Sequence, residues 1–174
     1  LNASGLGYEA EDETLLSHES PQTLGVAGGS WCPYGLGGVS PDLAVDQRED
    51  DGRSLVFDSS PLTDALVVVG APEVHLRLAV DQANAFVVVR LTDVSPDGVS
   101  RRVSYGMLNL SRRSGFDATV PMVPGEPTDV VIRLNDLAHQ FAAGHRLRLA
   151  VSTTYWPMVW PSGSPASLTL TAAA

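Results

Sequence analysis

The chain has 174 residues, 20 acidic against 11 basic, for a formal charge of −9, and 44% of it is apolar. That suffices to bury a core at the size of one domain, and an acidic surplus without a basic block argues against nucleic acid and anionic membrane surfaces. Every Lys/Arg position is arginine, which excludes Schiff-base and P-loop lysine chemistry; the lone Cys32 excludes an internal disulfide; and no apolar run approaches the ~20 residues of a bilayer span.

In chain order, residues 1–52 read as mostly loops and extended segments. They carry two acidic blocks, Glu9, Glu11, Asp12, Glu13 and Glu49, Asp50, Asp51, and between them a glycine-rich stretch from Gly25 to Leu43. From Arg53 to the end the pattern is that of short strands. Ser54 to Phe57 is a brief apolar run closed by Asp58 and a Ser-Ser-Pro turn. Glu73 to Val80 alternates, with Val74, Leu76, Leu78 and Val80 on one face and His75 and Arg77 on the other. Ala85 to Val94 is continuously apolar, as a strand buried on both faces would be. Ser95-Pro96-Asp97-Gly98 supplies turn chemistry, so Arg101 to Leu110 is expected to pair back as a hairpin. Thr128 to Leu134 and Arg146 to Ser152 alternate again, with Arg146 and Arg148 outward, and a last strand is expected at Ser167 to Thr171. Asn135 to Phe141, with Asn and Asp as N-cap candidates and Gly144 beyond, predicts one short helix. Many short strands with almost no helix predict an all-β antiparallel sandwich.

Reaction chemistry is thin. Gly28-Gly29-Ser30-Trp31-Cys32 approaches the G-x-S-x-G elbow of a nucleophilic serine but fails at its last position and lies in a loop. The four histidines are scattered: His18 in a polar loop, His75 on a strand surface, and His139 and His145 flanking a bend, where hydrogen-bonded structural roles fit better than metal ligation. The acidic blocks lack EF-hand spacing and read as exposed charge. No dinucleotide or Walker motif occurs, so neither cofactor nor metal is expected. Two aromatic segments carry the sharper signal. Trp31-Cys32-Pro33-Tyr34 sits within the glycine-rich stretch. In Tyr155 to Pro161, Trp156 and Trp160 straddle a proline-bounded apolar bend. Each is read either as a plug on the end of a sandwich core or as an apolar surface facing a ligand or another domain.

Several segments in order resemble one family: Val45-Asp46-Gln47-Arg48 followed by Ser54 to Phe57, Arg90 to Gly98, Gly144 to Leu149, and Ser152 to Trp160. Together they resemble the C-terminal, non-catalytic domain of the X-Pro dipeptidyl-peptidase and cocaine-esterase-like (CocE/NonD) serine hydrolases, across essentially the whole chain. The resemblance implies a jelly-roll sandwich of the galactose-binding-like type over residues 1–174, without catalytic residues of its own. It would follow an upstream α/β-hydrolase domain that carries the Ser-Asp-His triad and cleaves esters, amides or X-Pro peptides through an acyl-enzyme. It also implies that residues just after a Gly-Gly reach the substrate pocket, which points to Trp31, Cys32 and Pro33, with Tyr34 beside them. Asp46, Arg48 and His145 are expected to be structural, with Arg48, Arg146 and Arg148 in ion pairs given the surplus of carboxylates, and Arg48 also a candidate to fix the loop that presents Trp31. The chain departs from the family's usual pattern at Asn84-Ala85-Phe86-Val87, in the apolar Trp156 to Gly163 loop, and in the Trp-Cys-Pro-Tyr sequence itself, so the parent's substrate is not inferred.

The partner expected is the chain's own hydrolase domain, with no nucleic acid and no membrane. A carbohydrate-binding module and an oligomerisation domain are the alternatives. No signal-peptide pattern opens the chain, so a cytoplasmic parent is expected, and a further strand could follow Ala174.

Overall fold

A computed structural model describes residues 14–30 and 43–172. The described residues form ten strands: β1 (Thr14–Glu19), β2 (Leu55–Asp58), β3 (Leu66–Gly70), β4 (Glu73–Val80), β5 (Phe86–Val94), β6 (Ser100–Asn109), β7 (Thr128–Arg133), β8 (Leu137–Phe141), β9 (Arg146–Ser152) and β10 (Ser167–Ala172). The helical content among the described residues is one turn, α1 (Arg48–Asp51), and a 3-10 turn at Leu110–Arg112.

Two four-stranded antiparallel sheets, ordered β1-β10-β4-β7 and β2-β9-β5-β6, pack face to face, and β3 and β8 form a separate two-stranded sheet. With that pair set aside, the strand order of the two sheets is that of a jelly roll. The core follows from alternation. Val74, Leu76, Leu78 and Val80 of β4, Val130 and Ile132 of β7, and Leu168 and Leu170 of β10 face Phe57, Val87, Val89, Leu91 and Val151 of the opposite sheet. β5 and β6 form the expected hairpin, with a register shift between Leu91 and Thr92.

The helix predicted over Asn135 to Phe141 is instead strand β8, paired with β3 from Leu66↔Phe141 to Gly70↔Leu137. Leu137, His139 and Phe141 are the more buried positions and Ala138 and Gln140 the exposed ones. That period of two, with a partner strand to satisfy the backbone, outweighs a cap signal on a segment too short to nucleate a helix. β1, β3 and α1 have no counterpart in the sequence reading. Among the described residues no helix is long and apolar enough to cross a membrane.

Candidate functional site

The expectation that β5 is buried on both faces has a specific structural basis. Val87, Val89 and Leu91 enter the sandwich core, while Val88, Arg90 and Thr92 point to the other side of the sheet and are equally buried. There they are covered by residues 20–30, by residues 45–52 with α1, and by residues 153–159. Leu24, Val88, Tyr155, Met158 and Val159 form a second apolar cluster in this layer, with Phe86 and Tyr105 against it.

A polar network fills the rest of the layer. Arg90, fully buried, lies 3.1 Å from Asp51 Oδ1 in an ion pair. It also donates to Gln47 Oε1 (3.2 Å) and Ser54 Oγ (2.8 Å), and its guanidinium stands 5.0 Å from the Tyr155 ring centroid. Asp51 Oδ2 accepts from Ser100 Oγ (2.7 Å) and Arg148 (3.2 Å). Arg148 in turn donates twice to Asp58, at 2.6 and 2.7 Å. These bonds to Asp58, followed by the Asp51 contact, raise the Arg148 pKa further above its already basic ordinary value against the opposing effect of burial. An arginine inside a doubly buried strand is tolerable only with such partners, because an unpaired buried cation costs several kcal/mol, on the order of 3–5.

The other half of the network holds backbone. Asp50, fully buried at the end of α1, accepts from the N–H groups of Gly25 (2.9 Å) and Ala27 (3.1 Å). Gln47 Nε2 donates to the carbonyls of both Ala27 and Val45, each at 2.7 Å, and Val45 N–H donates to Ala27 O at 3.1 Å. Arg102 donates to Gly28 O (2.9 Å) and Tyr155 Oη (2.8 Å), and Tyr155 Oη donates to Gln47 Oε1 (2.7 Å). The two flanks of residues 31–42 are therefore brought to one place and locked there by Gln47, Asp50 and Arg102.

The acidic block Glu49-Asp50-Asp51 is thus not the exposed charge its composition suggests. Glu49 is exposed and pairs with Arg53, while Asp50 and Asp51 are buried. Trp31, Cys32, Pro33 and Tyr34 lie outside the described residues, as does the first acidic block. Gln47, next to Arg48, makes the bonds that join Ala27 to Val45. Arg48 is exposed and pairs with Asp46, at 2.6 and 2.7 Å. Asp46 Oδ1 accepts from the N–H of Ser100 and of Arg48. Partial burial pushes the Asp46 carboxyl up, but the Arg48 side chain and these two N–H groups outweigh it and hold it below the usual carboxylate range.

His145 Nδ1 and His139 Nε2 both bond the Asp93 carboxylate, at 2.7 and 2.9 Å, joining β8 and the start of β9 to β5. Arg146 donates to Ser59 O (2.9 Å). Trp156 and Trp160 sit on the outside of the covering layer, their rings edge to face with centroids 4.9 Å apart. Beneath them Trp156 N–H donates to Leu24 O (2.8 Å) and Val159 N–H to Tyr155 O (2.8 Å).

Two signals could have found the network from sequence: an arginine within the apolar run Ala85 to Val94, and acids adjacent to Val45-Asp46-Gln47-Arg48. Neither says which acid meets which arginine.

Tyr155 gives this layer an alkaline limit. Burial, opposed by Arg102 and Arg90, raises its phenol above the ordinary value of 10.0. The folded state then holds the proton more tightly than the unfolded one. The resulting stabilisation is complete below pH 10 and is lost as pH rises through the folded value. Tyr155→Phe is expected to lower stability by about 1–2 kcal/mol at neutral pH through the lost hydrogen bonds and to flatten the alkaline limb. Urea unfolding between neutral pH and pH 11 checks both; an unchanged alkaline slope in the variant would assign that limb to other groups.

The described residues thus form a jelly-roll sandwich with one sheet face buried under loops whose backbone is held by Gln47, Asp50 and Arg102. The chain belongs to the X-Pro dipeptidyl-peptidase C-terminal non-catalytic domain family, whose model matches residues 6–174. Cocaine esterase of Rhodococcus sp. is 24% identical over 157 residues, covering 90% of this chain and 27% of the esterase. Among solved structures, an aminopeptidase from a marine sediment archaeon of the Thaumarchaeota superposes with a TM-score of 0.85 at 22% identity, over 100% of this chain and 34% of that one. A selenomethionine-labelled alpha-amino acid ester hydrolase gives 0.74 at 23% identity, over 91% and 30%. At such identities the two structures show a shared fold. The chain spans 20–27% of the length of the curated relatives it matches.

Proposed function

We propose that this domain is the C-terminal part of a CocE/NonD-type serine hydrolase, packs on the catalytic α/β-hydrolase domain of the same polypeptide, and presents Trp31, Cys32, Pro33 and Tyr34 as part of the substrate-pocket wall. The observation that carries the reading is the double lock at Ala27 and Val45. The flanks of the 12 residues 31–42 are fixed by Gln47, Asp50 and Arg102, which supports a role for this stretch beyond the domain's own core. Family membership supplies the parent, and the names of the relatives agree on hydrolysis at an acyl carbon, whether of an ester or of an N-terminal peptide bond.

The chemistry belongs to the catalytic domain. The contribution of the Trp31 segment is shape and the exclusion of water, which strengthens electrostatic interactions where charge develops. In the full-length hydrolase, Trp31→Ala is expected to change kcat/KM across a series of acyl esters of graded size by about tenfold or more, with a smaller change in Tm. Unchanged kinetic constants beside a lowered Tm would reduce the segment to a structural role. The specificity of the parent follows from that series.

A further inference from the structure

One end of the sandwich is formed largely by two stretches of chain that carry no charge, with the Arg102 guanidinium at Gly28 O and Asp46 beside them. There is no charged residue from Ser20 to Pro41 and none after Arg148, in a chain whose formal charge is −9. The described parts of these two stretches meet in the covering layer, where Gly25 packs on the backbone of Trp156 and Leu24 O accepts from its N–H. On these stretches three large apolar side chains face solvent, Val26, Trp156 and Trp160, the last 73% exposed, and the exposed Leu43 and Val45 follow between Asp42 and Asp46. They sit on a rigid base, since Tyr155, Met158 and Val159 of the same bend are buried in the second apolar cluster.

We infer that this end, centred on Trp156 and Trp160, is the face on which the domain docks against the catalytic domain of its own polypeptide. The inference rests on the reading above that such a domain is present, and adds which surface meets it. Charge depletion with exposed tryptophan is the composition of an interface core and its dominant anchors. The family match and the 20–34% share of the relatives' lengths support a larger partner on the same chain. Tethering gives that partner an effective concentration of about millimolar, which no second copy reaches in dilute solution, and a second copy would bring a further −9 of charge. A sugar ring fits poorly, because the two indoles meet at an interplanar angle of 69° and offer no continuous flat platform.

Hydroxyl-radical footprinting of the unmodified full-length hydrolase tests this without a destabilising variant. Trp156 and Trp160 are expected to be modified several-fold more slowly than their exposure in the domain predicts, while Phe116, 91% exposed and outside the patch, reacts freely. Protection should persist when the protein is diluted to a monomer measured by light scattering. Free reaction of both indoles would overturn the assignment. So would protection that disappears on dilution, which means a second copy, or protection that appears only when xylo- or cello-oligosaccharides are added. The pocket role stands apart from this result. Protected tryptophans with unchanged Trp31→Ala kinetics would keep the docking face and remove the pocket wall, and reactive tryptophans with altered kinetics would do the reverse.

Discussion

Arg90→Met is expected to destabilise the domain by about 3–5 kcal/mol, the cost of leaving a buried charge without its partner. For a chain of this size that is a fall in Tm of about 6–20 °C. Arg90 is fully buried, and its ion pair at 3.1 Å balances Asp51, which is itself almost fully buried. Methionine fills much of the volume of the arginine stem but supplies no donors. Ser54 Oγ and Gln47 Oε1 each lose a hydrogen bond, and Asp51 is left to Ser100 and Arg148 alone. Adding Asp51→Asn to the same chain should recover part of the loss, because the double variant no longer buries a carboxylate that has lost one of its two arginines. Chemical denaturation of the two single variants and the double variant closes the cycle. A single Arg90→Met change costing under about 1 kcal/mol would show that the layer is held by its apolar cluster and that the ion pair is dispensable.

The second large effect is expected at Gly25. An alanine Cβ there would stand 1.9 Å from the carbonyl oxygen of Trp156 and 2.4 Å from its nitrogen, at φ +121. Both atoms are backbone, so the Trp156 bend must move away from residues 24–28. That move breaks the Trp156 N–H to Leu24 O bond and disturbs the two N–H groups that satisfy Asp50. We expect Gly25→Ala to cost about 3 kcal/mol or more, part steric and part from an under-solvated buried carboxylate. Gly70→Ala is the control, having a comparable φ of +134 and nothing within 4 Å of the added Cβ. It should show the conformational cost alone, about 1–3 kcal/mol. Equal effects at the two positions would mean that the close approach of the two segments is not essential. On the proposed pocket role, Gly25→Ala in the full-length protein is also expected to lower kcat/KM, since it shifts one flank of residues 31–42, whereas Gly70→Ala should leave catalysis unchanged.

The strands that carry the sandwich were legible because their side chains alternate against one apolar core. β4, with Val74, Leu76, Leu78 and Val80 inward, needs no knowledge of its neighbours to be read as half-buried. β5 was legible as doubly buried from its unbroken apolar run. β8 was misread as a helix because its cap residues are local and its partner is not: Val68 lies opposite His139, 71 positions away in sequence. β1 escaped for the same reason, since Thr14–Glu19 is a weak pattern that becomes a strand by pairing with β10 at the far end of the chain.

The candidate site divides along the same line. The sequence alone determined that the chain is acidic, lysine-free and rich in alternating strands, and its ordered segments placed it in an accessory-domain family. Those properties are sums over residues or matches along the chain, and they do not depend on which residues touch. Which acid is buried is another matter. Glu49, Asp50 and Asp51 are chemically near-equivalent neighbours, and one turn of α1 sends two of them under the sheet and one into solvent. Only the tertiary structure decides that Gln47, not Arg48, joins Ala27 to Val45, because the choice depends on a side-chain direction fixed by contacts with Arg90 and Tyr155 from strands far along the chain. Direction and partnership across long sequence separations are set by packing, which is not written in any one segment of the chain.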